Sequence, residues 1–319
     1  MGRYPEADLS RLAVGSIADR PTRVRVEEFA RPLDPAAARA VMASLPDQLA
    51  ARALREVVGR IVESRRRQRP VVAMCGGHIV KVGVSPCLIE LMERGVVTHL
   101  ALNGAAAIHD VEIARSGSTS EDVEAHLHAG TFGMVDETGD FMNQAASEGA
   151  KRSEGLGETW GRALAEERPK HLGASLLAAA WRLSLPATVH VAFGTDTIHH
   201  HPRCDGAALG EATLRDFRIF AGTLAAARGA SVLNLGSAVL LPEVFLKALA
   251  VARNLGADLS ELTTVNLDQI QHYRPRVNVV ERPTRGTGSR GYALTGHHEI
   301  MIPLLAAAIL AEMGTPPPA

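Results

Sequence analysis

Aromatic side chains are scarce, at 4% of 319 residues, which argues against nucleic-acid binding by base stacking. Charge of one sign is missing too: the formal net charge is −1, so there is no basic footprint. The one basic run, Arg65-Arg66-Arg67 with Arg69, falls at the end of an expected helix, where cations complement the dipole. Cys75, Cys87 and Cys204 are too few in so long a chain for a disulfide framework. No signal-peptide pattern and no run of about 20 apolar residues appears. Lysine stands at only four positions, Lys81, Lys151, Lys170 and Lys247. The expectation is a cytoplasmic protein with no nucleic-acid partner and no membrane partner. Hydrophobic residues, at 46%, suffice for a large core.

The richest stretch is 186–211, PATVHVAFGTDTIHHHPRCDGAALGE. An apolar strand-like run through Val189, Val191 and Phe193 turns polar at Gly194. Asp196, His199, His200, His201, Arg203, Cys204, Asp205 and Glu211 follow, then a helix expected over 212–227. Open α/β sheets place ligands at the carboxyl ends of their strands, and lysine or glutamate would serve solubility better than three consecutive histidines.

Along the chain, 1–33 reads as a Pro- and Arg-rich arm with weak periodicity. Asp34-Pro35 caps a first helix, and a second carries Leu54, Val57, Val58 and Ile61 at helical spacing. Strands are expected over 71–74, 96–102, 231–235 and 263–267, with helices at 85–95, 242–255 and 300–313. The first strand enters Cys75-Gly76-Gly77-His78, a loop tight enough for a ligand to approach the backbone. The second enters Asn103-Gly104-Ala105-Ala106-Ala107, whose small residues suit a phosphate at a helix start or close helix–strand packing. The middle, 117–167, reads as helices and loops without sheet, with His126 and His128 exposed, and 269–291 as irregular and polar. Strands alternating with helices predict an α/β fold, a Rossmann-like doubly wound and mostly parallel sheet. The polar strand ends should then converge on one edge. The domain reading is an arm, 1–33, and a single α/β domain, 34–319.

In order and spacing the chain resembles the deoxyhypusine synthase family over roughly 70–310. The stretch 83–110 matches without gaps. The family's Thr-Ala-Gly-Gly loop, which lies against NAD, is similar to Asn103-Gly104-Ala105-Ala106. Its Thr-Asp-Gly-Ser-Leu-Gly-Asp is similar to Cys204-Asp205-Gly206-Ala207-Ala208-Leu209-Gly210-Glu211, and its Leu-Gly-Gly-Gly strand end to Leu235-Gly236-Ser237-Ala238. Asn254 to Asp258 resembles its following Arg-Asn-Gly-Ala-Asp. The family's catalytic lysine follows Arg-Pro-Asp-Glu-Ala-Val-Ser-Trp-Gly, but here the region from Arg274-Pro275 to Arg282-Pro283 has no lysine. An enzyme–imine intermediate needs a lysine amine of lowered pKa, which arginine cannot supply. The resemblance implies a branch that kept the scaffold, an NAD cofactor and a homotetramer, with the arm reaching across to a neighbour, but not deoxyhypusine synthesis itself.

The leading expectation is an NAD-dependent transferase or oxidoreductase that dehydrogenates a small amine or polyamine to an imine, with or without alkyl-amine transfer. Its catalytic candidates are His109, His199 and His201, since histidine suits proton transfer near neutral pH. Cofactor contacts are expected from Gly77, Asn103, Gly104, Ala105, Asp110 and Asp205, with the pyrophosphate near 103–107. Substrate contacts are expected from Asp196, Glu211, His297 and His298, and no metal is assigned. One alternative is a divalent-metal hydrolase or lyase drawing on His199, His201, Asp196, Asp205, His297 and His298. The other is a nucleotide- or amine-binding protein without catalysis.

Overall fold

The structure is a computed structural model that describes residues 3–286 and 288–314. Residues 1–2 of the expected arm, and 287 and 315–319 of the expected domain, lie outside the described residues. After a short strand β1 (Thr22–Arg25) come α1 (Pro35–Ser44) and α2 (Leu49–Arg66). The Asp34 carboxylate accepts from the Ala36 amide, and Pro35 opens α1. Next are β2 (Val71–Cys75), α3 (Gly77–Lys81), α4 (Ser85–Glu93), β3 (His99–Asn103), α5 (Gly104–Ser116) and β4 (Ser118–Glu121). Helices α6 (Val123–Ala129), α7 (Asp136–Lys151), α8 (Leu156–Glu167) and α9 (Leu176–Arg182) precede β5 (Ala187–His190) and α10 (Gly206–Ala225). The chain closes with β6 (Ser231–Leu235), α11 (Leu240–Asn254), β7 (Thr263–Asp268), α12 (Tyr273–Pro275), β8 (Arg290–Thr295) and α13 (His298–Met313).

Six strands form one sheet, all parallel, in the order β5-β3-β2-β6-β7-β8. Numbered within the sheet, this is the 3-2-1-4-5-6 order of Rossmann folds, in which ligands sit where the order reverses. β2 is buried at all five positions, as a central parallel strand covered on both faces must be. Val71, Ala73 and Cys75 face a core built with α2, α4, α5, α8, α9 and α13. Val72 and Met74 face a second core that holds Phe220 of α10 and Phe245 of α11. The sheet is therefore wound on both sides, and all six carboxyl ends share one edge.

Several expected boundaries shift. α10 begins at Gly206, so Glu211 stands inside the helix rather than before it. β4 lies in the stretch read as free of sheet, and β8 begins within the segment read as irregular. The largest correction concerns the arm, which packs on its own chain. β1 pairs antiparallel with β4, Thr22 opposite Glu121 and Val24 opposite Thr119. The Gly15 amide donates to Met134, and the Glu137 carboxylate accepts from Ser16 and the Ile17 amide. Farther on, Phe29 lies against Gly83, whose φ of +71° and lack of a Cβ let the arm approach. The arm, expected to reach across to a neighbour, is instead held on its own chain by these contacts.

Candidate functional site

At the point where the strand order reverses, between β2 and β6, two glycine turns touch backbone to backbone. A Cβ on Gly76 would lie 2.1 Å from the Gly236 carbonyl oxygen, so no other residue fits there without a shift. Beyond the contact the chain parts, to α3 on one face of the sheet and α11 on the other. α3 opens at Gly77 and α11 at Leu240, where the Leu241 amide donates to the Ser237 hydroxyl. His78 and His298 flank the crevice at this contact, their ring centroids 5.3 Å apart. His298 is buried and its Nε2 lies 3.0 Å from the Leu267 carbonyl. A carbonyl only accepts, so Nε2 donates to it, while Nδ1 is buried without a partner among the described residues. Burial, with His298 and Lys81 nearby, lowers the pKa of His78.

Next to this crevice lies a cavity of about 250 Å³, lined by Arg20, Lys81, Ala105, His109, Glu112 and Asp196 among others. A second of about 240 Å³ shares Phe132 and 195–197 with it. Gly77 joins crevice and cavity, because a Cβ there would sit 3.2 Å from His109 and 3.3 Å from Ala105. His109 Nδ1 is 2.7 Å from the Thr119 hydroxyl, which donates to Glu112 at 2.5 Å. With its hydrogen spent on Glu112, Thr119 can only accept from His109. The proton therefore sits on Nδ1, and Nε2 is left as a base. Glu112 is itself held by Thr138 and, at 2.9 Å, by Arg20. Burial, then Lys81 and Arg20, push the pKa of His109 down to about 3, so it is neutral across the physiological range.

Asp196 is brought into this cavity by the loop after β5. Its side chain is 6% exposed and packs on Gly104. A Cβ at Gly104 would fall 2.0 Å from its carboxylate. Burial raises its pKa to about 6, against a hydrogen bond from Thr195 that lowers it. His199 stacks on Phe193 and accepts from the Gly194 amide through Nδ1. Its Nε2 stops 3.8 Å from Asp196, too far for a hydrogen bond. Burial, then His200, lowers the pKa of His199.

The other expected site residues have different placements. Asp110 is fully buried and accepts from the Ser175 hydroxyl and the Leu176 and Leu177 amides, so it starts α9 and does not reach the crevice. Asp205 caps α10 through the Ala207 and Ala208 amides, and Glu211 pairs with Arg215 on its exposed face. His201 packs against Gly139 and contacts Asp136 at 3.2 Å, with its Nδ1 taken by the Arg203 amide. Asn103 caps α5 by accepting from Ala106. His297 is largely exposed beside Glu299. The small residues after Asn103 make room for Asp196, whose carboxylate already stands at the positive end of α5. A pyrophosphate there would meet a like charge. Among the described residues no three His, Cys, Asp or Glu side chains are grouped to hold a metal ion, so the ligands of the metal-hydrolase reading stay scattered.

Lys81, Arg20, Glu112 and Thr119 are the site residues that the sequence did not reveal. Lys81 offered a faint signal: it stands four residues after Gly77, one helical turn from a strand end. Arg20 offered none, since the arm carries it in from far away.

No family model matches the chain, and no curated protein matches it. Among solved structures its fold is similar to a conserved LOR/SDH protein from Methanococcus maripaludis S2 (TM-score 0.49, 14% identity, 91% of this chain and 73% of that one). It is also similar to AgrE in a ternary complex with ornithine and NAD+ (0.48, 15%, 81% and 32%). A third is a protein described as a deoxyhypusine synthase, from Entamoeba histolytica (0.47, 11%, 80% and 88%). The chain spans about a third of the length of AgrE and of the cyanobacterial arginine dihydrolase ArgZ. The likeness is one of fold and carries no argument about chemistry.

Proposed function

We propose that the protein is an NAD-dependent enzyme acting on a small amine-bearing substrate. The observation that carries this reading is the strand order, with its reversal at the Gly76–Gly236 contact. That is where a doubly wound sheet takes a dinucleotide. The amides of Gly77 and His78 and the turn at Gly236-Ser237 would hold the pyrophosphate, and Gly77 would leave the cofactor open to the neighbouring cavity. Bound there, NAD supplies a hydride acceptor. The protein's own part is to seat the amine against Asp196, exclude water with Phe132 and Ile108, and present His109 Nε2 to it as a neutral hydrogen-bond acceptor. Thr119 and Glu112 fix the tautomer that this requires. The family's lysine chemistry has no counterpart at 274–284, and Lys247 pairs with Glu243 on the outer face of α11.

Titrating NAD against melting temperature tests the reading. Saturation at 100 times the dissociation constant stabilises by about 2.7 kcal/mol. No shift at millimolar NAD would count against it. Once a substrate reduces NAD, the histidines can be sorted. His109→Ala is expected to lower turnover by about tenfold or more, the cost of one lost hydrogen bond to the substrate, since His109 lines the cavity. His201→Ala should act chiefly on stability, because its ring is tied to α7. Equal losses of turnover from both, at equal melting temperature, would contradict the assignment.

A further inference from the structure

The cavity beside His109 carries unpaired charge of both signs. Lys81 lines it and makes no hydrogen bond or ion pair among the described residues, although it lies close enough to depress His78 and His109. Arg20 also lines it, from the arm. Its contacts are with Glu112 at 2.9 Å and Glu121 at 3.5 Å, and its buried Nε has no partner. Asp196 lines the same cavity from another loop. It is more than nine-tenths buried, its Oδ2 has no hydrogen bond, and no lysine or arginine pairs with it among the described residues. Asp196 is a buried charge with no cation beside it, which is costly, and a ligand of opposite charge relieves it. A polyamine would satisfy Asp196 but would leave Lys81 without a partner. A ligand with one charge of each sign would satisfy both.

We propose that the cavity takes a small zwitterionic amino acid, its carboxylate held by Lys81 and Arg20 and its ammonium by Asp196. This rests on reading the cavity as the substrate site of an NAD enzyme, and it narrows the substrate from amines at large to amino acids. The carboxylate would be fixed from the α3 and arm side and the ammonium from the α5 side. The carbon bearing the amine would then lie between them, near His109 Nε2. The cavity, at about 250 Å³, suits a compact amino acid.

The test is calorimetric titration of the common amino acids, each against the amine that lacks only its carboxylate: alanine against ethylamine, leucine against 3-methylbutylamine, lysine against 1,5-diaminopentane. The series is run on the full chain, with and without NAD. At least one amino acid is expected to bind about tenfold or more tighter than its amine, as loss of a charge-assisted contact predicts. Lys81→Met should erase that advantage while leaving affinity for the amine unchanged or improved. Lys81 is exposed, so this variant should melt with the parent. Asp196→Asn should weaken the amino acid and the amine alike. If every amine binds as well as its amino acid, if no amino acid binds at millimolar concentration, or if Lys81→Met leaves the ratio intact, the proposal is overturned. The NAD titration without amino acid is scored separately, so failure of the zwitterion site and failure of the NAD-enzyme reading are distinguishable.

Discussion

Asp110→Ala is expected to cost about 3–5 kcal/mol of stability, the penalty for stranding buried donors, while leaving NAD affinity within about twofold. The carboxylate is fully buried and takes the Ser175 hydroxyl at 2.6 Å and the Leu176 and Leu177 amides at 2.7 and 3.1 Å. Removing it leaves three buried donors unpaired at the start of α9, a helix that packs under the sheet. At about 2 °C per kcal/mol for a chain of this size, melting should fall by roughly 6–10 °C. Asp110→Asn keeps an acceptor and should cost less, which makes it the variant for the NAD measurement if the alanine form does not fold. The resemblance that placed Asp110 against the cofactor predicts the reverse. A variant that melts with the parent and has lost NAD binding would restore that role.

Stability should fall gently from about pH 6 to about pH 4 and then steeply. His99, His109 and His190 are buried and pushed to about 3, by burial first in each case. Unfolded, they titrate near 6.5. As the pH falls below 6.5 the unfolded chain binds protons that the native state refuses. Each histidine alone would remove about 1.4 kcal/mol per pH unit. Asp110 and Asp196, raised to about 6, and Asp216, raised to about 8, act in the opposite sense. The native state takes up their protons first, and the unfolded chain only near pH 4. Between about pH 6 and 4, these three refused protons face three retained ones and their slopes cancel, so the net loss is the smaller one set by His78 and His199, whose pKa values are also lowered. Below about pH 4 the unfolded carboxyls fill too, and the three buried histidines set a loss of about 4 kcal/mol per pH unit until they titrate near 3, with Glu137 and Glu243, lowered in the native state, adding to it. Urea unfolding at pH 6, 5, 4 and 3.5 measures this. A steep loss already between pH 6 and 5 would mean that the carboxyls are ionised in the native state.

The sheet was largely legible because its central strands are continuous apolar runs between punctuating residues. Ser231–Leu235 emerges at the expected bounds, and Thr263–Asp268 ends one residue later. Convergence of the strand ends followed from parallel topology alone. β8 was not legible, since Arg290–Thr295 alternates exposed and buried positions as an edge strand does and has no apolar run. Of the candidate site residues, His109 in α5 and Asp196 in the loop after β5 line one cavity, as strand ends on one edge allow. Asp205 and Asp110 both accept from amides at a helix start, because an acid near a helix start serves a cap as readily as a ligand. The His-His-His run divides, since His199 stops 3.8 Å from Asp196 while His201 is turned toward α7. Local spacing says which residues are near a strand end, but the packing of α7 and the arm decides which way they face.

Hydrogen exchange with and without NAD tests the central claim most directly. Binding at the reversal of strand order predicts slowed amides at 75–82 and 235–241, the two turns that meet at Gly76 and Gly236, and little change around Asp205. Unchanged exchange in both turns at saturating NAD, or protection confined to 103–107, would contradict it.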